Sequence, residues 1–100
     1  MVKHIILWRL NEALSVEEKA AVKAGIKEGL ESLKGRIPGL VDIVVRTERL
    51  PSSNVDVMLD STFTDEAALR GYSTHPEHVA VADGKVRPYT ALRACMDFEI

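Results

Sequence analysis

Apolar and polar residues alternate along the start of the chain. Val2, His4, Ile6, Trp8 and Leu10 fall on one side of an extended segment, and Lys3, Ile5, Leu7 and Arg9 on the other. This β-branched and aromatic run predicts a strand over residues 2–10. Ile5 and Leu7 make the middle of the second side apolar as well, so the pattern predicts cover on both faces. The period then lengthens: Val22, Ile26, Leu30, Leu33 and Ile37 form the stripe of an amphipathic helix. Ser15 followed by Glu18 is a capping box, in which each side chain bonds the other residue's free backbone N–H, and it places the helix start. Gly25 and Gly29 each weaken the helix by up to about 1 kcal/mol, while permitting close packing. Gly35 and Pro38-Gly39 end it.

Leu40–Leu50 predicts a second strand, Pro51-Ser52-Ser53-Asn54 a turn, and Val55–Phe63 a third strand. The short connection makes these two an antiparallel hairpin. Thr64-Asp65-Glu66 opens a second helix, with the Thr64 hydroxyl as cap and two acids favoured by the helix dipole, and Gly71 marks its end. Pro76 suits the first turn of a further short helix that carries Val79, Val81 and Ala82 and stops near Gly84 or before Arg87-Pro88. Thr90–Ile100 predicts the last strand, with Leu92, Ala94, Met96, Phe98 and Ile100 on one face. The order β-α-β-β-α-(α)-β is the split βαβ pattern of an α+β, ferredoxin-like βαββαβ fold: one antiparallel four-stranded sheet with helices on one face, a single domain over residues 1–100. Two helices cover only one side of such a sheet. The apolar residues left on the other side predict a homodimer through the open sheet face; the alternative is a monomer with a shallow, half-polar face.

Composition excludes several classes. The hydrophobic share of 46% and charged share of 28% are those of an ordinary globular chain, not of a disordered or fibrous one. A net charge of −2 supplies no attraction to nucleic acid or to an anionic membrane. No apolar run reaches the length of a membrane span and no signal-peptide pattern opens the chain. The single cysteine, Cys95, precludes an internal disulfide and points to a reducing, cytoplasmic setting. Its place in the apolar last strand reads as a packed core thiol.

Candidate chemistry concentrates in Gly71-Tyr72-Ser73-Thr74-His75-Pro76-Glu77-His78, which holds two of the three histidines and one of the two tyrosines. His78 titrates near neutrality and is a candidate general base, and Tyr72 a candidate hydrogen-bond donor to a developing oxyanion. His4, on the same strand face as Ile6 and Trp8, is a candidate for orienting a substrate carbonyl. Each has a structural reading beside the chemical one: Tyr72 as a buried ring bonded toward the first strand, His4 as a satisfied core histidine. His75, directly before Pro76, reads either as a helix cap or as a ligand contact. Trp8 and Phe63 are candidate walls of an apolar pocket. Asp97 either pairs with His4 across adjacent strands, fixing its tautomer, or is an exposed edge carboxylate. His75-x-x-His78 is a poor metal pair because Pro76 breaks a regular helix through both, and no metal is expected. No phosphate loop, nucleophile elbow or dinucleotide fingerprint is present, so no cofactor is expected.

Four features recur together in one family: the start Met-Val-Lys-His-Ile-Ile-Leu-Trp, the Ile37-Pro38-Gly39 turn, the Tyr72…His75-Pro76-x-His78 segment and Asp97-Phe98. In that combination, across essentially its whole length, the chain resembles the stress-responsive α/β-barrel (Dabb) domain family within the dimeric α+β barrel proteins. The resemblance implies a ferredoxin-like protomer whose sheet pairs with that of its partner to close a barrel. The best-understood enzyme of that family is a cofactor-free plant polyketide cyclase, and its catalytic tyrosine and histidines correspond to Tyr72, His78 and His4. Its histidine on the middle strands has no counterpart, because residues 40–63 contain none. The expected function is therefore binding of a small apolar molecule without established catalysis. The alternative is a cyclase-like lyase with His78 as base and Tyr72 as oxyanion donor.

Overall fold

In the computed structural model, which describes residues 1–100, strand β1 (Val2–Leu10) is hydrogen-bonded along both edges. The remaining elements follow as α1 (Val16–Glu31), β2 (Leu40–Arg46), β3 (Val57–Phe63), α2 (Glu66–Thr74), α3 (Pro76–Val81) and β4 (Thr90–Glu99). A π turn at Ala82–Val86 and a 3-10 turn at Arg87–Tyr89 link α3 to β4. The four strands lie in the order β2-β3-β1-β4, and every neighbouring pair is antiparallel. The ferredoxin-like α+β topology expected from the element order is the one observed.

The alternation in β1 sorts the molecule into layers. Val2, His4, Ile6, Trp8 and Leu10 are buried under the helices. The four apolar ones meet Ile43 and Val45 from β2, Val57, Leu59 and Phe63 from β3, and Ile26, Leu30, Leu69 and Tyr72 from the helices, in a cluster of 17 buried residues, with the buried His4 beside it. The capping box forms as predicted: Glu18 N–H donates to Ser15 Oγ at 3.1 Å and Ser15 N–H to Glu18 Oε1 at 2.9 Å. Lys27 and Glu31 then bond the backbone of Val45, the ammonium to its carbonyl at 2.8 Å and the carboxylate to its N–H at 2.9 Å, which occupies part of the outer edge of β2.

Several boundaries differ from the sequence expectation. Helix α1 stops at Glu31, so Leu33 and Ile37 are buried in the turns that follow instead of in the helix. The β2–β3 hairpin is shorter, ending at Arg46 and resuming at Val57. Asp65, not Thr64, caps α2, with its carboxylate accepting from Ala68 N–H at 2.8 Å. The same helix runs through Gly71 to Thr74, because Leu69 and Tyr72 anchor it in the core and outweigh the glycine's propensity. Cys95 is exposed, not packed in the core. Its partner in β1, Ile6, places it on the helix-facing side of β4, but the helices leave it uncovered, and β4 is exposed on both faces.

The open face carries Ile5 and Leu7 at its centre, flanked by Leu92, Ala94, Met96 and Phe98 from β4, with a Lys3–Asp60 ion pair of 2.8 Å alongside. Met96 is 65% exposed and Leu92 45%. No helix is long and apolar enough to cross a membrane.

Two glycines respond oppositely to a methyl group. Gly39 has φ +80°, and a Cβ there would meet the Ala68 Cβ at 2.4 Å, whereas Gly25 has open space on the α1 surface. Gly39→Ala is expected to lower stability by about 1–3 kcal/mol, and Gly25→Ala to raise it by about 0.5–1 kcal/mol. Denaturant melts of the two variants against the parent protein check both signs.

Candidate functional site

The core under β1 contains one aromatic stack. Phe63 from β3 and Tyr72 from α2 meet edge to face with centroids 5.0 Å apart, and the His4 imidazole lies 6.0 Å from Tyr72 and 6.3 Å from Phe63. On its far side Tyr72 is 4.1 Å from the ring of His78. Tyr72 is brought there by the helical phase of α2, which turns both Leu69 and Tyr72 inward. His78 arrives from α3, and the joint between the two helices is His75. Its backbone N–H donates to the Tyr72 carbonyl at 3.1 Å, ending α2, and its Nδ1 accepts from Glu77 N–H at 3.2 Å, starting α3. Pro76 occupies the first helical position, where its missing N–H leaves nothing unpaired.

A cavity of about 160 Å³ lies against this stack, walled by His4, Trp8, Tyr72, His78, Arg87 and Arg93 among others. Of the residues singled out from the sequence, it brings together His4, Trp8, Tyr72 and His78. Phe63 is fully buried behind Tyr72 and His4 and is not part of the wall, and His75 is held at the helix joint by its capping bonds. Asp97 stands directly opposite His4 in the β1–β4 register, and its carboxylate bonds His4 Nδ1. Cys95 Sγ is 3.5 Å from the same carboxylate oxygen and 3.9 Å from His4 Nδ1. Burial, and then the Asp97 carboxylate, push the Cys95 thiol's pKa up, so it keeps its proton.

Arg87 and Arg93 were not anticipated. Arg93 has the same strand parity as Asp97 and pairs with Trp8 in the register, so alternation carried back from Asp97 leads to it. What the sequence does not supply is that α2 and α3 bring Tyr72 and His78 to the same cavity as Arg93.

The protonation states follow from burial. Desolvation holds the Tyr72 phenol well above its ordinary pKa, so it remains a neutral O–H. That hydroxyl is buried without a hydrogen-bond partner, an arrangement that costs about 1–3 kcal/mol when nothing compensates it. Desolvation likewise lowers the pKa of His78. The Ser73 carbonyl opposes that shift, while Arg87, His4 and Arg93 add to it. The carbonyl lies 3.3 Å from His78 Nδ1 and can only accept, so Nδ1 carries the proton of this bond and Nε2 keeps its lone pair.

A βαββαβ protomer with an aromatic–imidazole cavity under a half-covered sheet belongs to the ferredoxin-like α+β class. Within it, the chain belongs to the Stress responsive A/B Barrel Domain (Dabb) family, whose model matches residues 2–100. A dimeric, ferredoxin-like protein of unknown function from Bacteroides fragilis is 35% identical and superposes with a TM-score of 0.92, over 99% of this chain and 95% of that one. A dimeric ferredoxin-like protein from Thermobifida fusca, also of unknown function, is 24% identical, with a TM-score of 0.78 over 99% of this chain and 90% of that one. A hydroxynitrile lyase from Passiflora edulis shares the fold at 19% identity, with a TM-score of 0.74 over 99% and 92% of the two chains. No curated protein matches the chain in sequence.

The depressed pKa of His78 has a consequence for stability. A group that binds its proton less readily when folded makes the unfolded state the better proton acceptor, so its contribution is complete above the unfolded value, about 6.5, and is lost as pH falls below it. The melting temperature is therefore expected to fall between about pH 7 and pH 5, and His78→Gln to flatten that slope. An unchanged slope in the variant would assign the pH dependence to other groups.

Proposed function

We propose that this chain is a homodimeric Dabb protein that holds a small, largely apolar molecule with one hydrogen-bond acceptor in the cavity between β1, α2 and α3. The observation that carries the reading is the Tyr72 hydroxyl, a neutral donor buried at the cavity wall without a partner. A carbonyl or hydroxyl oxygen of a ligand would supply the missing acceptor and recover the cost of its burial. Trp8, Ile6 and Leu59 offer the apolar contacts. The volume, well under the roughly 300–1,000 Å³ of drug-sized sites, favours a small molecule over an extended chain.

A second reading is cofactor-free proton chemistry at the same place, favoured by the state of His78. A neutral imidazole with Nδ1 engaged by the Ser73 carbonyl has Nε2 available to take a proton from a carbon flanked by carbonyls. Tyr72 would donate to the enolate oxygen that forms, and the bond between His4 Nδ1 and Asp97 leaves His4 Nε2 for the substrate. A hydroxynitrile lyase has the same fold at 19% identity, which supports this reading by analogy of fold alone.

Dimerisation is supported by the open face. Leu92, Met96 and Phe98 are exposed beside Ile5 and Leu7, and the relative from Bacteroides fragilis, 35% identical, is described as dimeric. A second copy of the same face is the simplest cover for such a patch.

Four measurements test these statements. Without ligand, Tyr72→Phe removes the unpaired hydroxyl and is expected to raise stability by about 1 kcal/mol. In a thermal-shift series, small ketones and aldehydes should stabilise the parent protein and not the variant. A Tyr72→Phe protein that is destabilised, or that responds to the same compounds equally, removes the reading. For the second reading, compounds that bind are assayed for turnover, which His78→Gln must abolish while leaving binding in place. For the dimer, Met96→Glu with Leu92→Glu should convert a dimeric sedimentation profile to a monomeric one.

A further inference from the structure

A second set of chemical groups borders the cavity and shares His4 with it, on the helix-facing side of the β1–β4 ladder. His4, Cys95 and Asp97 bring an imidazole nitrogen, a sulfur and a carboxylate oxygen within 4.8 Å of one another. We propose that these three side chains form a binding site for a borderline divalent metal ion, Zn²⁺ being the best match to a nitrogen, sulfur and oxygen donor set.

The geometry carries this first. Zinc bonds of about 2.3 Å to sulfur and 2.0–2.2 Å to nitrogen and oxygen, arranged tetrahedrally, put the ligand atoms about 3.4–3.6 Å apart. Cys95 Sγ is 3.5 Å from the Asp97 oxygen and 3.9 Å from His4 Nδ1, so two edges of the tetrahedron already stand close to the required lengths. The third edge, between His4 and Asp97, is closed by their hydrogen bond and has to open by about 1 Å. The Asp97 side chain is 43% exposed and on an outer strand, which leaves it free to turn.

The backbone explains why the three meet. His4 and Asp97 are direct partners across the antiparallel pair, and Cys95, two residues before Asp97, projects from the same face. The His4 ring is fixed by Tyr72 and Phe63, so one ligand is preorganised while the other two are adjustable. Three protein ligands leave a fourth position for water, the pattern of an open site and not of a closed structural one. Binding replaces the thiol proton with the metal, and that proton passes to solvent; the proton that His4 Nδ1 shares with Asp97 moves to Nε2, so that Nδ1 offers its lone pair to the ion. The site is on the face opposite Leu92, Met96 and Phe98, so it does not compete with pairing through the open sheet face. It shares His4 with the cavity wall, and a bound ion takes the Nδ1 that otherwise bonds Asp97.

Cobalt(II) is the probe, because its complexes report their ligands in absorption. Titrated into the full chain under a non-thiol reductant, Co²⁺ is expected to bind one ion per chain, with thiolate-to-cobalt absorption in the near ultraviolet and visible bands of tetrahedral intensity. Added Zn²⁺ should displace it. Cys95→Ser should lose the near-ultraviolet band, and Asp97→Asn should weaken Co²⁺ binding by at least about tenfold, since loss of a ligand exceeds the 10–100-fold typical of outer-shell changes. Circular dichroism establishes that each variant is folded; both positions are exposed, and should either variant unfold, His4→Gln replaces it in the comparison. Absence of the thiolate band in the parent protein overturns the proposal, as does a Co²⁺ affinity unchanged in the folded variants.

Discussion

Strand β1 is bonded on both edges, to β3 and to β4, and its strict alternation decides what lies beneath the helices and what lies on the bare side of the sheet. A slip of one residue in either register would expose Ile6, Trp8 and Leu10 and bury Lys3 and Arg9. The helix-side face is filled by the 17-residue core, while the other side keeps Ile5 and Leu7 beside the exposed apolar residues of β4. His4 belongs to the first of these faces because of its parity. It therefore reaches both the aromatic stack inside and the polar row Cys95 and Asp97 on β4.

The stack of Phe63, Tyr72 and His78 joins the two halves of the chain's chemistry. Tyr72 is turned inward by the packing of α2 and loses its hydrogen-bond partner in the process, an imbalance that a folded protein tolerates where a ligand can redress it. His78 is neutral for the same reason that Tyr72 is neutral: burial penalises the charged form of each, in opposite directions on the pH scale. The cavity thus holds a proton donor and a proton acceptor side by side at neutral pH. Asp97 does not enter it; the carboxylate acts from outside, on the nitrogen of His4 that bonds it.

Much of this was legible along the chain. The capping box at Ser15 and Glu18, the alternation of the strands and the element order depend on near neighbours, and those elements appear with small shifts at their ends. Where local signals misled, packing outweighed propensity. Gly71 would end a helix in isolation, but Leu69 and Tyr72 on either side of it are buried, and the helix continues. Cys95 reads as a core residue from its apolar neighbours in sequence, yet its own strand face has no helix above it and remains open.

The candidate residues divide along the same line. Tyr72, His75 and His78 stand out in the sequence because they cluster within a few positions, and the helix joint that separates their roles is local too: His75 is bound by its own backbone neighbours. Nothing local links His4 to Asp97, which are 93 positions apart, and Arg93 and Tyr72 come together only at the cavity wall. By itself the sequence determined the elements, their order and the polar or apolar character of each face, because these follow from the period of the side chains and the chemistry of caps and turns. The ferredoxin-like order already set β4 outside β1 and offered the Asp97–His4 pair; the tertiary structure alone decided that both faces of β4 remain open and that Cys95 joins those two residues. A register between strands is chosen by the whole core, which must be packed without voids, and not by any one segment.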